Sequence, residues 1–252
     1  MSRKISAILL LAVIGAILIP VQLAIDSAQK AAGLRKTALD LDLREQVGQM
    51  GFLAALSGFR SPLAAFLWLE AHNAWERLEW GRMAGLFDTV TTLQPRSLIY
   101  WDMASWHMAW NASVAALDDK KQPSEALRLR NQQQYFKLGR DYLERGIRNN
   151  PDSYLLYAAL GRLMTDKFND PCAAGEAYLQ ASRKPDAPPF IARFAGYSLA
   201  KCPGREQEAY DLLKKLYDKG EDERKPSLIT TLKELEKKLD VPADQRIDSP
   251  VP

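Results

Sequence analysis

Two patterns of apolar and polar positions divide the chain. From Ile5 to Ile25 the residues ISAILLLAVIGAILIPVQLAI run without a charged side chain. At 1.5 Å per residue that makes about 30 Å of helix, the thickness of a bilayer's hydrocarbon core. Beyond this run, apolar residues recur at i, i+3, i+4 and i+7 in nearly every segment, and no Val/Ile/Thr-rich run alternates as a half-buried strand does. The pattern predicts an all-α protein. Its helices are expected to break at Pro62, Pro95, Pro123, Pro151, Pro171, Pro185 to Pro189, Pro203 and Pro226. Proline cannot donate within a helix and turns the residue before it away from helical geometry.

The first pattern bears on the compartment. Arg3 and Lys4 precede the apolar run, so residues 1–25 read as a signal anchor that enters the membrane through residues 5–25. A cleaved signal peptide shares this charged start and stays open as the alternative, although VQLAIDSAQ after Pro20 holds no clean A-x-A site. In both cases the rest of the chain is expected outside the cytoplasm, since a short basic tail tends to stay inside. Lys30, Arg35 and Lys36 act against that orientation. The expected location is a bacterial inner membrane, crossed once, with the following domain on the periplasmic side. Residues 26–60 form a membrane-proximal segment, either a packed helix or a stalk. Residues 61–240 form the helical domain, and 241–252, VPADQRIDSPVP, a flexible tail.

Composition narrows the chemistry. With 252 residues, 47% of them hydrophobic, the chain can fold. Its 34 basic and 31 acidic residues leave a net charge of only +3 with the signs interspersed, which argues against a nucleic-acid partner. The two histidines, His72 and His107, and two cysteines, Cys172 and Cys202, make neither CxxC nor HxxxH, so no metal site is expected. Walker A, GxGxxG and GxSxG motifs are missing too, so no catalytic residue, no cofactor and no enzyme activity is expected.

The second pattern repeats. Gly161, Ala174, Tyr178 and Ala181 return 35 residues later as Gly196, Ala209, Leu213 and Leu216. Two helices packed as a hairpin need small residues where their axes approach and large ones a turn away. The better copy reads Tyr157, Leu160, Gly161, Met164, then Ala174, Tyr178, Ala181 and Pro185. It resembles the tetratricopeptide repeat (TPR), whose layout is W-x2-L-G-x2-Y, A-x3-F-x2-A, P. The following copy has Ala192, Ala195, Gly196 and Leu199 before Ala209, Leu213 and Leu216. Upstream, Trp68, Ala71, His72 and Trp75 with Ala84, Phe87 and Pro95 make a looser copy. Tyr100, Met103, Ala104 and His107 pair with Gly139, Leu143, Gly146 and Pro151 across an insertion centred on DDKKQPSEALRLRNQQQ. An amphipathic segment from Ser227 to Leu239 caps the four.

The resemblance implies a right-handed α-solenoid whose first helices line a concave surface that holds protein or peptide partners, here at the membrane surface. Groove positions of the family map to Asn73, Arg77, Arg162, Asp166, Arg193 and Lys201, a set that favours an acidic segment or carboxylate as readily as it makes a solvated face. A small-molecule ligand is not expected. The resemblance also puts Cys172 and Cys202 in turns of neighbouring units, side by side on one edge. In an oxidising compartment they are a disulfide candidate, with two unpaired thiols as the alternative.

Six tryptophans fall between Trp68 and Trp110, with both histidines among them. They are expected in the core, where aromatics bury the most area, with one or two rings left for the groove. The expected role is a membrane-tethered scaffold or adaptor in a cell-envelope complex. Two rivals are a permanent structural subunit, which predicts a large exposed apolar patch, and an enzyme or ligand-binding protein using His72 and His107, which predicts that both imidazoles converge in one pocket.

Overall fold

The computed structural model describes residues 58–248, all within the second of the chain's two units, Asp42–Pro252. The anchor expected at 1–25, nearly all of the membrane-proximal segment at 26–60 and the last residues of the tail lie outside the described residues. Among the described residues every regular element is helical, and no helix is long and apolar enough to cross a membrane.

The helices are α1 (Arg60–Glu76), α2 (Trp80–Leu93), α3 (Leu98–Trp106), α4 (Ser113–Leu117), α5 (Glu125–Asn149), α6 (Tyr154–Leu163), α7 (Pro171–Ser182), α8 (Pro189–Leu199), α9 (Glu206–Tyr217) and α10 (Pro226–Lys238). A wider π turn, His107–Ala112, joins α3 to α4, and another, Met164–Phe168, extends α6. The prolines act as expected. Pro171, Pro189 and Pro226 open helices, where a missing N–H costs nothing. Before α7, Asn169 takes a left-handed φ of 49° that few residues other than glycine tolerate as well. The Asp170 carboxylate then accepts the Ala173 N–H at 2.9 Å, capping the helix.

Each helix packs on its neighbours in sequence: α1 on α2, α3 and α4 on α5, α6 on α7, α7 on α8, α8 on α9, and α9 on α10. The small residues lie at the close approaches. A Cβ on Gly161 would sit 2.8 Å from the Tyr178 ring, and one on Gly196 would sit 2.4 Å from Leu213. These two contacts are 35 residues apart on both sides, so the repeat seen in the sequence is a repeat of packing.

The second unit departs from its expected register. Trp101, Ala104 and Met108 are buried while Ile99 and Trp106 are exposed, which matches the exposure of Leu155 and Arg162 if the unit is read one residue later than Tyr100, Met103, Ala104 and His107. The expected insertion is mostly helix. After a turn, Ser124 accepts the Leu127 N–H and α5 runs 25 residues, its first half carrying exposed Leu127 and Leu129.

Two apolar cores result. The first spans Ala64 to Leu163 and the second Met164 to Ile247, with Leu160 and Phe168 touching both. In the first, the Tyr142 hydroxyl donates to the Ala84 carbonyl at 2.9 Å, and Arg145 pairs with Asp88 at 2.8 Å while lying over Trp101. The tail is not loose where it is described. Val241 and Ile247 are buried, the Ile247 N–H donates to Glu236 Oε1 at 2.6 Å, and Lys233 donates to the Ile247 carbonyl. Two apolar side chains and these hydrogen bonds hold residues up to Asp248 on α10, against the expectation of a flexible 241–252.

Candidate binding groove

Three helices, α3, α6 and α8, together line a hollow of about 510 Å³. Its walls are mostly apolar: Ile99 and Trp106 from α3, Leu155 from α6, and Phe190 and Phe194 from α8 are all exposed there. Trp110, carried by the wide π turn, closes one side. A second hollow of about 400 Å³ adjoins it, sharing Tyr178 and Phe194 as a divide. That hollow is more polar, with Thr165, Asn169, Ser198 and Lys201 in its wall.

Few charges enter. Arg162 lines the first hollow, stacked 5.5 Å from the Trp110 ring and paired with Asp166 at 3.4 Å. Lys167 lies over the same indole at 5.0 Å. Asp102 lines the same hollow, its carboxyl raised above its ordinary pKa by desolvation, with the Arg162 charge opposing. At the floor, the Ser105 hydroxyl is buried without a hydrogen-bond partner. A burial of that kind costs about 1–3 kcal/mol. An apolar slot with a cation, a carboxyl and an unpaired hydroxyl can seat large apolar side chains and orient them by a few polar contacts.

The six family-mapped positions separate. Arg162 and Lys201 line the hollows, one each, and Asp166 supports Arg162. Asn73 and Arg77 are exposed on and just after α1 and line neither hollow; Asn73 bonds Glu70 at 3.2 Å. Arg193 is held away by an ion pair with Glu223, both side chains largely buried. Sequence reasoning missed Ile99, Leu155, Phe190 and Phe194. A signal existed: Ile99, Leu155 and Phe190 each stand two residues before a matching position of the pattern, Trp101, Tyr157 and Ala192.

The aromatic-rich half divides as well. Trp101 is core, its indole N–H donating to the Pro95 carbonyl at 2.9 Å, whereas Trp106 and Trp110 face the groove. His107 is buried among Trp75, Phe87 and Trp106, with ring centroids 5.1 to 5.7 Å away. Its pKa falls to about 4, first from desolvation and then from the charge of His72. The Asn111 side-chain amide meets its Nδ1 at 3.0 Å, a contact that a neutral imidazole accepts. His72 is exposed, paired with Glu76 at 3.6 Å, and the two imidazoles flank Trp75 without lining either hollow. No cluster of three metal-ligating side chains occurs among the described residues.

Cys172, in the first turn of α7, and Cys202, after α8, are bonded, with Cα atoms 4.8 Å apart. Their neighbours Pro171 and Lys201 line the second hollow, so the bond ties two sides of its rim. Compared with protein-family models and with curated proteins, the chain finds no match.

Proposed function

We propose that this chain is a membrane-tethered, TPR-like scaffold, a right-handed α-solenoid of four hairpins and a cap that binds protein partners of a cell-envelope complex in its groove. The observation that carries the reading is the hollow shared by α3, α6 and α8, where side chains from three successive units leave apolar surface open to solvent. An apolar hollow with a few convergent polar groups is the default place for a binding site. The 35-residue recurrence of the Gly161–Tyr178 and Gly196–Leu213 contacts supports the solenoid. The disulfide supports an oxidising compartment, and the charge-free run at 5–25 supports a single-pass tether in a bacterial inner membrane with the domain outside. A tether raises the effective concentration of partners in the same membrane. No catalytic role is assigned.

A permanent structural subunit is the second reading. It draws on the exposed Phe59, Phe66, Leu69 and Leu78 on and around α1. The test is a crosslinking pull-down of the full-length chain from its own membranes, with three samples. They are the unaltered protein, a groove variant carrying Arg162→Glu and Lys201→Glu, and a control carrying Leu129→Glu on α5. The scaffold reading expects the same envelope proteins with the first and third, their loss with the second, and the chain itself resisting alkaline extraction. Capture unchanged by the groove variant sinks the groove reading, and release by alkali sinks the tether.

A further inference from the structure

Helix α1 is apolar on both of its faces. Ala64, Leu67, Ala71 and Ala74 are buried on the inner face, toward α2. From the N-cap Phe59 onward, Phe59, Pro62, Phe66 and Leu69 follow at steps of three, four and three, which sets them on one outer stripe about 15 Å long. Phe59, Phe66 and Leu69 are 62%, 57% and 62% exposed, with Pro62 and Ala65 exposed beside them. The fold does not require such a face, since the outer side of α9 carries Gln207, Glu208, Asp211 and Lys215. A helix that is apolar all round has a second surface to cover it. Neither hollow is that surface, because no residue of the stripe lines one.

Charge and place in the chain say what the cover is. Both acids of α1 are taken, Glu70 by Arg82 at 3.3 Å and Glu76 by His72 at 3.6 Å. Arg60 and Arg77, at the two ends of the helix, are exposed and make no ion pair among the described residues. An apolar stripe flanked by unpaired cations suits a helix lying in the interface of an anionic bilayer, its rings among the acyl chains and its cations at the phosphates. The place in the chain agrees. Phe59 follows Ile25, the end of the charge-free run, by 34 residues, a span of at most about 120 Å. A face tethered that close to a bilayer meets lipid at high effective concentration.

Resting on the tether proposed above, we infer that the outer face of α1 docks on the surface of the same membrane. Phe59, Phe66 and Leu69 enter the acyl region just beneath the headgroups, and Arg60 and Arg77 meet the phosphates of anionic phospholipid. Two signals, the tether and this face, then hold the domain at the bilayer.

The test uses the full-length chain in nanodiscs of phosphatidylcholine and phosphatidylglycerol. Cys172 and Cys202 are bonded to each other, so one new thiol from Phe66→Cys, Leu69→Cys or the control Leu129→Cys takes an apolar fluorophore. If the face docks, spin-labelled lipid quenches the labels at 66 and 69 and spares 129, and aqueous iodide does the reverse. Lipid quenching also weakens when phosphatidylglycerol is left out, or when Arg60→Glu and Arg77→Glu are combined. Quenching indifferent to both changes overturns the role of the two arginines. Iodide that reaches 66 and 69 as freely as 129 overturns the docking and leaves the tether standing, as a permanent subunit stripped of its assembly would show. Protection from both quenchers overturns it as well, because another part of the chain or a second copy then covers the face. A chain that stays outside the nanodiscs overturns tether and docking together.

Discussion

Between Ala64 and Leu163 the core is built from large rings, with Trp101, Phe87 and Tyr142 buried, whereas from Met164 to Ile247 it holds no tryptophan and rests on alanine, leucine and tyrosine. The helix approaches differ accordingly. In the first half Gly139 meets the Ala109 Cβ and the Ser105 carbonyl, and Gly146 meets the root of Trp101. At the boundary Gly161 meets the Tyr178 ring, and in the second half Gly196 meets a leucine side chain in the same relation, 35 residues apart. The first half is braced by Arg145 between Asp88 and Asp141, the second by a disulfide and a docked tail. Similar hairpins thus stand on two chemistries, one that buries much area per residue and one that buries less but carries a covalent tie. The two halves should therefore fail under different stresses.

Reduction is the largest expected effect. Opening a loop of 30 residues removes roughly 3–4 kcal/mol in the chain-entropy view. The loss should fall on the second half. Hydrogen exchange of the full-length protein with and without reductant should show α7, α8 and α9 losing protection while α2, α3 and α5 keep theirs. Equal loss in both halves would mean that they unfold as one unit, and the comparison would collapse.

Acid should act on the other half. His107 is neutral in the fold, its pKa lowered to about 4, and takes up a proton near its ordinary value once unfolded. The unfolded chain then binds more protons between these two values, so stability falls as pH drops. The contribution is complete above about pH 6.5. It is lost progressively on the way to pH 4, by about 3 kcal/mol as an upper figure. Urea melts followed by tryptophan fluorescence, which reports only the first half, should show this acid limb, and His107→Gln should flatten it. An equally steep limb in the variant would assign it to carboxylates instead.

This contrast also explains what could be read from the chain alone. The helices and their proline stops were legible because apolar periodicity and a missing N–H act locally. Gly161 and Gly196 were legible because a small residue is favoured beneath Tyr178 and Leu213. The second unit was misread by one residue because Ser105 stands where glycine was sought, its backbone meeting Gly139 on α5 instead. The groove was only half legible. Arg162 and Lys201 were named through the resemblance to the repeat family, but Arg193 is diverted by Glu223, a partner 30 residues away that no local pattern announces. The exposed Ile99, Leu155 and Phe190 escaped notice because an apolar residue inside an amphipathic helix reads as core until its neighbours claim the core positions.

The smallest effect tests the glycine contacts themselves. Replacing glycine by alanine within a helix gains about 1 kcal/mol of propensity, and overpacking costs about 1–3. At Gly196 the new Cβ would lie 2.4 Å from Leu213 Cδ2 and 2.5 Å from its Cγ, side-chain atoms that can swing aside about χ1 without moving a helix. At Gly139 it would lie 2.7 Å from the Ala109 Cβ and 3.0 Å from the Ser105 carbonyl, atoms that move only if α3 and the π turn after it move away from α5. Gly139→Ala should therefore destabilise by about 2 kcal/mol and Gly196→Ala by about 1 or less, read from urea midpoints of the two variants. If Gly196→Ala proves the worse, Leu213 is the more rigid neighbour, and the second half, not the first, is the tightly packed one.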